Sequence, residues 1–165
     1  MPGCLFKLAC AQDCAVFRIE GDATMRESPS AREVMAQVLS DPGVRLTVDL
    51  SGCEYLDSTW LGSLLDLYLQ HGRGEQGRFL LSASGEKRKK LFGSTRLDRI
   101  IRIIETTPEA VGEWQTFAPE AVDKQQLARH VLECHRRLAG VDCPQQKQFA
   151  AITEHLEREL ESASH

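Results

Sequence analysis

The chain has 165 residues, 42% of them hydrophobic and 27% charged, with a net charge of −4. That is room for one domain with a filled core, excludes two large ones, and is a globular rather than a disordered composition. The negative balance argues against long-range attraction to nucleic acid or to an anionic membrane surface.

The first elements read as a hairpin. Leu5–Cys10 forms one strand and Ala15–Glu20 the next, with Phe17 and Ile19 on the face opposite Arg18 and Glu20 and a turn near Gln12-Asp13. Gly21-Asp22 ends the second strand. Ser28-Pro29-Ser30 opens a helix, with Pro29 suited to the first turn and Ser30 with Glu33 matching a capping box. Its stripe is Ala31, Val34, Met35, Val38 and Leu39, and Asp41-Pro42-Gly43 stops it. Val44–Leu50 alternates cleanly and is the best strand in the chain. Residues 51–56 read as a loop, and a helix then runs from Asp57-Ser58-Thr59 to His71-Gly72.

After the glycines at 72, 74 and 77 come a strand at Arg78–Ala83, a helix from Gly85 to Phe92 and a last strand at 100–104. A hairpin feeding repeated β-α-β units implies an α/β fold, a mixed sheet of four to five strands packed with helices. Beyond Pro108 no strand signal remains. Two amphipathic helices fit, about 119–139 and 144–162, separated by Gly140 and Pro144. They make a C-terminal helical hairpin that must bury its stripes on the main domain or on a second copy, where it would supply a homodimer contact. The organisation is therefore residues 1–106 as the main domain and 107–165 as a helical extension.

No apolar run approaches the roughly 20 residues needed to cross a bilayer, and the start lacks the n-region and h-region of a secretory signal. The expected location is cytoplasmic. The six cysteines (Cys4, Cys10, Cys14, Cys53, Cys134, Cys143) contain no C-x-x-C pair, so they are read as reduced, mostly packed thiols, with no metal and no cofactor expected. His130 and Cys134 share a helix face at i, i+4, near His135 and Cys143, without zinc spacing. Lys87-Arg88-Lys89-Lys90 is a solvated helix face rather than a nucleic-acid site, and the glycines at 72–77 lack the Lys-Ser/Thr of a phosphate loop. The scattered histidines form no catalytic set with a nucleophile in sequence, so no enzyme activity is expected.

The informative segment runs from Leu46 to Gly62. It delivers Ser58 to the first turn of a helix, where backbone N–H groups lack intrahelical partners and the helix dipole is positive. A phosphate on Ser58 would meet those donors and add about −1.5 to −2 charge units. The plain alternative is that Asp57 or Ser58 is simply an N-cap.

Val48-Asp49-Leu50, then Asp57-Ser58-Thr59, then Leu61-Gly62 resembles the signature of STAS domains from bacterial anti-sigma-factor antagonists. Arg18–Ala23 is similar to the end of that family's second strand, and Lys89–Gly93 with Leu97-Asp98 and Ile103 to its closing elements. The resemblance covers about residues 4–106. It implies a STAS fold and a partner-switching regulator. An anti-sigma factor that is also a serine kinase would bind the unmodified protein and phosphorylate Ser58, and a phosphatase would reverse the modification. It implies a partner-binding surface of Asp22, Asp57, Ser58, Thr59 and Trp60, with Thr59 the poorer acceptor. One departure stands out: the family's glycine after the serine pair is Trp60. An indole there is either an interface anchor or core packed with Leu64 and Leu67. The second functional expectation is a STAS scaffold or sensor without phosphorylation, binding a lipid or nucleotide or serving a transporter as an accessory subunit.

Overall fold

A computed structural model describes residues 3–106, 109 and 112–163. Strands β1 (Cys4–Cys10) and β2 (Cys14–Ala23) pair antiparallel from Cys4 opposite Gly21 to Cys10 opposite Ala15, so the expected hairpin forms and runs longer than its alternation suggested. Helix α1 (Ser28–Leu39) carries Pro29 in its first turn, but the Ser30–Glu33 box is not made. Ser30 Oγ instead accepts the Glu120 N–H.

Strand β3 (Arg45–Asp49) pairs parallel to the first half of β2. The segment expected to be a loop contains β4 (Cys53–Leu56), parallel to the end of β2. A register shift between Gly21 and Asp22 makes room for it, and Gly21 sits at φ +88°, a conformation that suits glycine. Next come α2 (Ser58–His71), β5 (Phe79–Ser82) and α3 (Gly85–Phe92). The strand expected at 100–104 shrinks to β6 (Ile103–Ile104). The Ile100 N–H closes a 3-10 turn on the Leu97 carbonyl and the Ile101 N–H an α-type turn on the same oxygen, which draws Ile101 into the core.

Past residue 106 the expectation of no strand is overturned: β7 (Gln115–Phe117) pairs antiparallel with Phe6–Leu8 of β1. Three residues are too few to show an alternation. The described residues thus form a seven-stranded mixed sheet ordered β6-β5-β3-β2-β1-β7, with β4 on the end of β2. Helices α4 (Lys124–Ala139) and α5 (Gln146–Ala163) follow. Helix α4 starts at 124 rather than 119 because Asp123 and Gln126 build a reciprocal capping box.

The core lies between the sheet (Phe6, Phe17, Ile19, Val48, Leu81) and the inner faces of α1 and α2 (Met35, Leu39, Trp60, Leu64). The hairpin packs on its own domain: α4 lies on α2, and α5 on α4. Helix α2 is therefore enclosed on both sides, buried nearly all round from Thr59 to Leu67.

Candidate functional site

Asp57 is the N-cap of α2, in extended conformation, and its carboxylate accepts the Trp60 N–H at 3.0 Å. The other oxygen accepts the Met25 N–H at 2.6 Å, which ties the turn after β2 to the start of α2. Burial raises the Asp57 carboxyl above its ordinary range, while these N–H bonds oppose the shift. The Leu61 N–H goes to the Asp57 carbonyl. Two of the donors expected to be open to a phosphate on Ser58, the Trp60 and Leu61 N–H groups, are thus already engaged by Asp57.

Ser58 is half-buried, and its Oγ lies 3.0 Å from Nε2 of His135 on α4. His135 Nδ1 is 2.8 Å from the Val131 carbonyl, which can only accept, so Nδ1 carries the proton. In the uncharged ring this leaves Nε2 as acceptor and Ser58 as donor. A serine hydroxyl on an imidazole nitrogen is two parts of a nucleophilic site. The Trp60 and Leu61 N–H groups at this helix start are committed to Asp57 and so are not free to stabilise an oxyanion.

The other site residues expected from sequence divide. Asp22, half-exposed near the end of β2, pairs opposite Tyr55 of β4, and the next residue, Ala23, accepts the Asp57 N–H at 3.1 Å. The sheet therefore brings Asp22 to the same end as Ser58. Thr59 is only 3% exposed. Trp60 is 0% exposed, its Nε1–H donating to the Thr24 carbonyl at 2.7 Å and its ring 5.6 Å from that of Phe6. The inward alternative is the one taken, and in this conformation Trp60 offers a partner no surface. On its open side Ser58 borders a groove of about 340 Å³ lined by Tyr55, Leu56, Leu61, Leu91 and Gln145, with Tyr55 exposed at the rim.

Residues the sequence did not connect to the site hold α4 on α2. A Cβ at Gly62 would lie 2.6 Å from Cys134 Cβ and collide with the Cys134 carbonyl, so the two helix backbones meet where the motif has glycine. Beside it Ser28 Oγ bonds His130 Nε2 at 2.7 Å and Ser63 Oγ at 3.1 Å, and Ser63 Oγ is 3.2 Å from Cys134 Sγ. His130 and Cys134 do share a face, as their spacing indicated, but they point at serines, and His135 turns to Ser58. Among the described residues no three His, Cys, Asp or Glu side chains are grouped to hold a metal. Asp66 accepts from Arg32 of α1 and from Arg137 of α4. Burial would raise the Asp66 carboxyl, but the Arg32 charge and the hydrogen bonds from Arg137, Gln70 and Arg32 outweigh it and hold it below the usual range.

Burial, and then the charge of Arg32, push His130 down to about 4 from 6.5. The unfolded chain therefore takes up this proton first as the pH falls. Stability at this site is complete above pH 6.5, declines as pH drops, and levels off below about 4. At about 1.4 kcal/mol per unit, the whole decline is on the order of 3 kcal/mol. Urea unfolding of wild type and His130→Gln at pH 7 and at about pH 4.5 checks this: the variant should lose clearly less stability on acidification. Equal losses would refute it.

The STAS-type family model described as "Mlab, STAS domain" matches residues 6–105. Among solved structures, the chain is similar to an anti-sigma factor antagonist from Mycobacterium paratuberculosis, at 23% identity and a TM-score of 0.52, over 62% of this chain and 86% of that one. That likeness is one of fold. The family match spans well over half of the chain, and on that ground the protein belongs to the STAS domain family.

Proposed function

We propose that the protein is a partner-switching regulator of the anti-sigma-factor-antagonist kind. Its STAS domain binds an anti-sigma factor that is also a serine kinase, a phosphate on Ser58 turns that binding off, and a phosphatase restores it. Such a switch operates in the cytoplasm and needs no catalysis by this chain. The observation that carries the reading is the position of Ser58, the first residue of a capped helix, at the edge of a groove with an exposed tyrosine. Asp22, Asp57 and Ser58 are the proposed partner-facing residues; Thr59 is too buried to compete as an acceptor. A phosphate placed within a protein interface brings about −1.5 to −2 charge units into a desolvated space, which repels a docked partner.

Incubation with the cognate kinase and ATP should add one phosphate, mapped to Ser58 and absent from Ser58→Ala. Ser58→Asp should bind that kinase at least about ten-fold more weakly, equivalent to 1.4 kcal/mol. Tight binding by Ser58→Asp would sink the switch.

A second reading is favoured by one observation: the Ser58 hydroxyl is already hydrogen-bonded to His135. In it Ser58 is structural, and the protein is a STAS scaffold or sensor for a lipid or nucleotide, or a transporter accessory subunit. Phosphopeptide mapping from native cells separates the two, since this reading requires Ser58 to stay unmodified under every condition.

A further inference from the structure

Beyond β7 the chain folds back over the site. His135 takes the Ser58 hydroxyl, Cys134 abuts Gly62 and Arg137 reaches Asp66, so the hairpin covers one face of α2 from its first turn onward. We propose that the α4–α5 hairpin is a lid held in cis over that face, latched by the Ser58–His135 hydrogen bond and shifted toward the open position once Ser58 carries a phosphate. This rests on the partner-switch reading of Ser58 and extends it to the face of α2 behind the groove: Ser58 is met from its open side, whereas a protein that takes the covered face must lift the lid.

The interface carries several polar groups beside its apolar contacts, for Leu138 and Phe149 join the same buried cluster as Leu61, Leu64 and Leu65. Ser28, Ser58, Ser63 and Asp66 face His130, Cys134, His135 and Arg137 across it. Polar interfaces within a chain separate more readily than apolar ones. The hairpin is also held together by itself. His135 packs edge-on against Phe149 with centroids 5.9 Å apart, and Arg136 pairs with Glu157 at 2.9 Å, so α4 and α5 can leave as a unit.

The latch has a direction set by protons. Ser58 has one to give, and an imidazole whose Nδ1–H is turned to the Val131 carbonyl accepts it at Nε2. The ester oxygen of a phosphoserine has none. Modification therefore removes the bond outright and sets acceptor oxygens against a lone pair, with the Asp57 carboxylate adding like charge next to it.

The test uses the full chain with phosphoserine genetically encoded at position 58, followed by hydrogen exchange with mass spectrometry. In the unmodified protein, amides of α4 should exchange about ten-fold faster than those of β2, through an opening that leaves the sheet intact. With phosphoserine, α4 exchange should rise about ten-fold further while β2 stays unchanged. Equal rates for α4 and β2 in both forms overturn the lid. So does α4 protection that increases, which would mean that the hairpin closes on the phosphate instead of leaving it.

Ser63→Cys guards against a merely loosened protein, because position 63 lies beside Cys134. Oxidised glutathione should join the two thiols, taking up their two electrons and two protons, and restore α4 protection in the phosphoserine protein; reductant should abolish it. A confirmed disulfide that restores nothing would also overturn the lid. No kinase enters these measurements, so absence of Ser58 phosphorylation in cells would fell the partner-switch reading and leave the lid result standing.

Discussion

Trp60→Ala is expected to destabilise the protein by about 3–5 kcal/mol, the cost of emptying an aromatic site in a packed core. Trp60 is fully enclosed, its ring tilted against Phe6 of β1, which in turn stacks on Phe17 of β2 with ring centroids 5.6 Å apart. Truncation opens a void between α2 and the sheet and strips the Thr24 carbonyl of its indole donor. Trp60→Phe keeps most of the volume and should cost much less, with about 1 kcal/mol from the lost hydrogen bond. Urea unfolding gives both numbers. If alanine costs no more than phenylalanine, the indole is not the wedge that joins α2 to the β hairpin. The same packing explains how the family's glycine position tolerates a large side chain: at the third residue of α2 it faces the sheet, away from the Ser58 groove.

Asp49→Ala should cost a similar amount, about 3–5 kcal/mol, because it breaks one half of an ion pair whose acidic side chain has no exposed surface. Asp49 stands directly opposite Arg18 in the parallel β2–β3 ladder. One oxygen takes the Arg18 Nε–H at 2.8 Å, and the other the Ser51 N–H at 3.0 Å. The guanidinium also lies 4.3 Å from the Trp114 ring centroid. Asp49 thus fixes both the ladder and the turn that leads through β4 to Asp57 and Ser58. Arg18→Ala should be destabilising as well, and the double variant should cost clearly less than the two singles added. Strict additivity in that cycle would show that the two side chains are not coupled.

Much of the fold was legible where pattern and chemistry agreed. Val44–Leu50 alternates because β3 is central, and Asp57 with Ser58 announced a helix start that Asp57 caps. β4 escaped notice because its ends are buried and its middle exposed, which does not alternate, and because it depends on a bend at Gly21 that no local signal reports. The 3-10 turn at Leu97–Arg99 overrode the β-branched run that follows it. In the site, Ser58 was visible from its motif, but its partner His135 lies 77 residues away in sequence. The apolar stripe of α4 announced a buried face without saying against what. Gly62 looked like part of a signature; its physical reason is a helix crossing close enough to exclude a Cβ.

The short β7 strand has a consequence for any protein that competes for the face of α2. It staples residues 115–117 to β1, so a hairpin that swings away is still leashed by the segment 118–123. Six extended residues reach about 20 Å, which confines the loose helices near their seat at an effective concentration in the millimolar range. A rival must therefore bind far more tightly than its contacts with bare α2 alone would suggest. Cutting the leash after residue 120 would lower that threshold without altering a single contact in the closed protein.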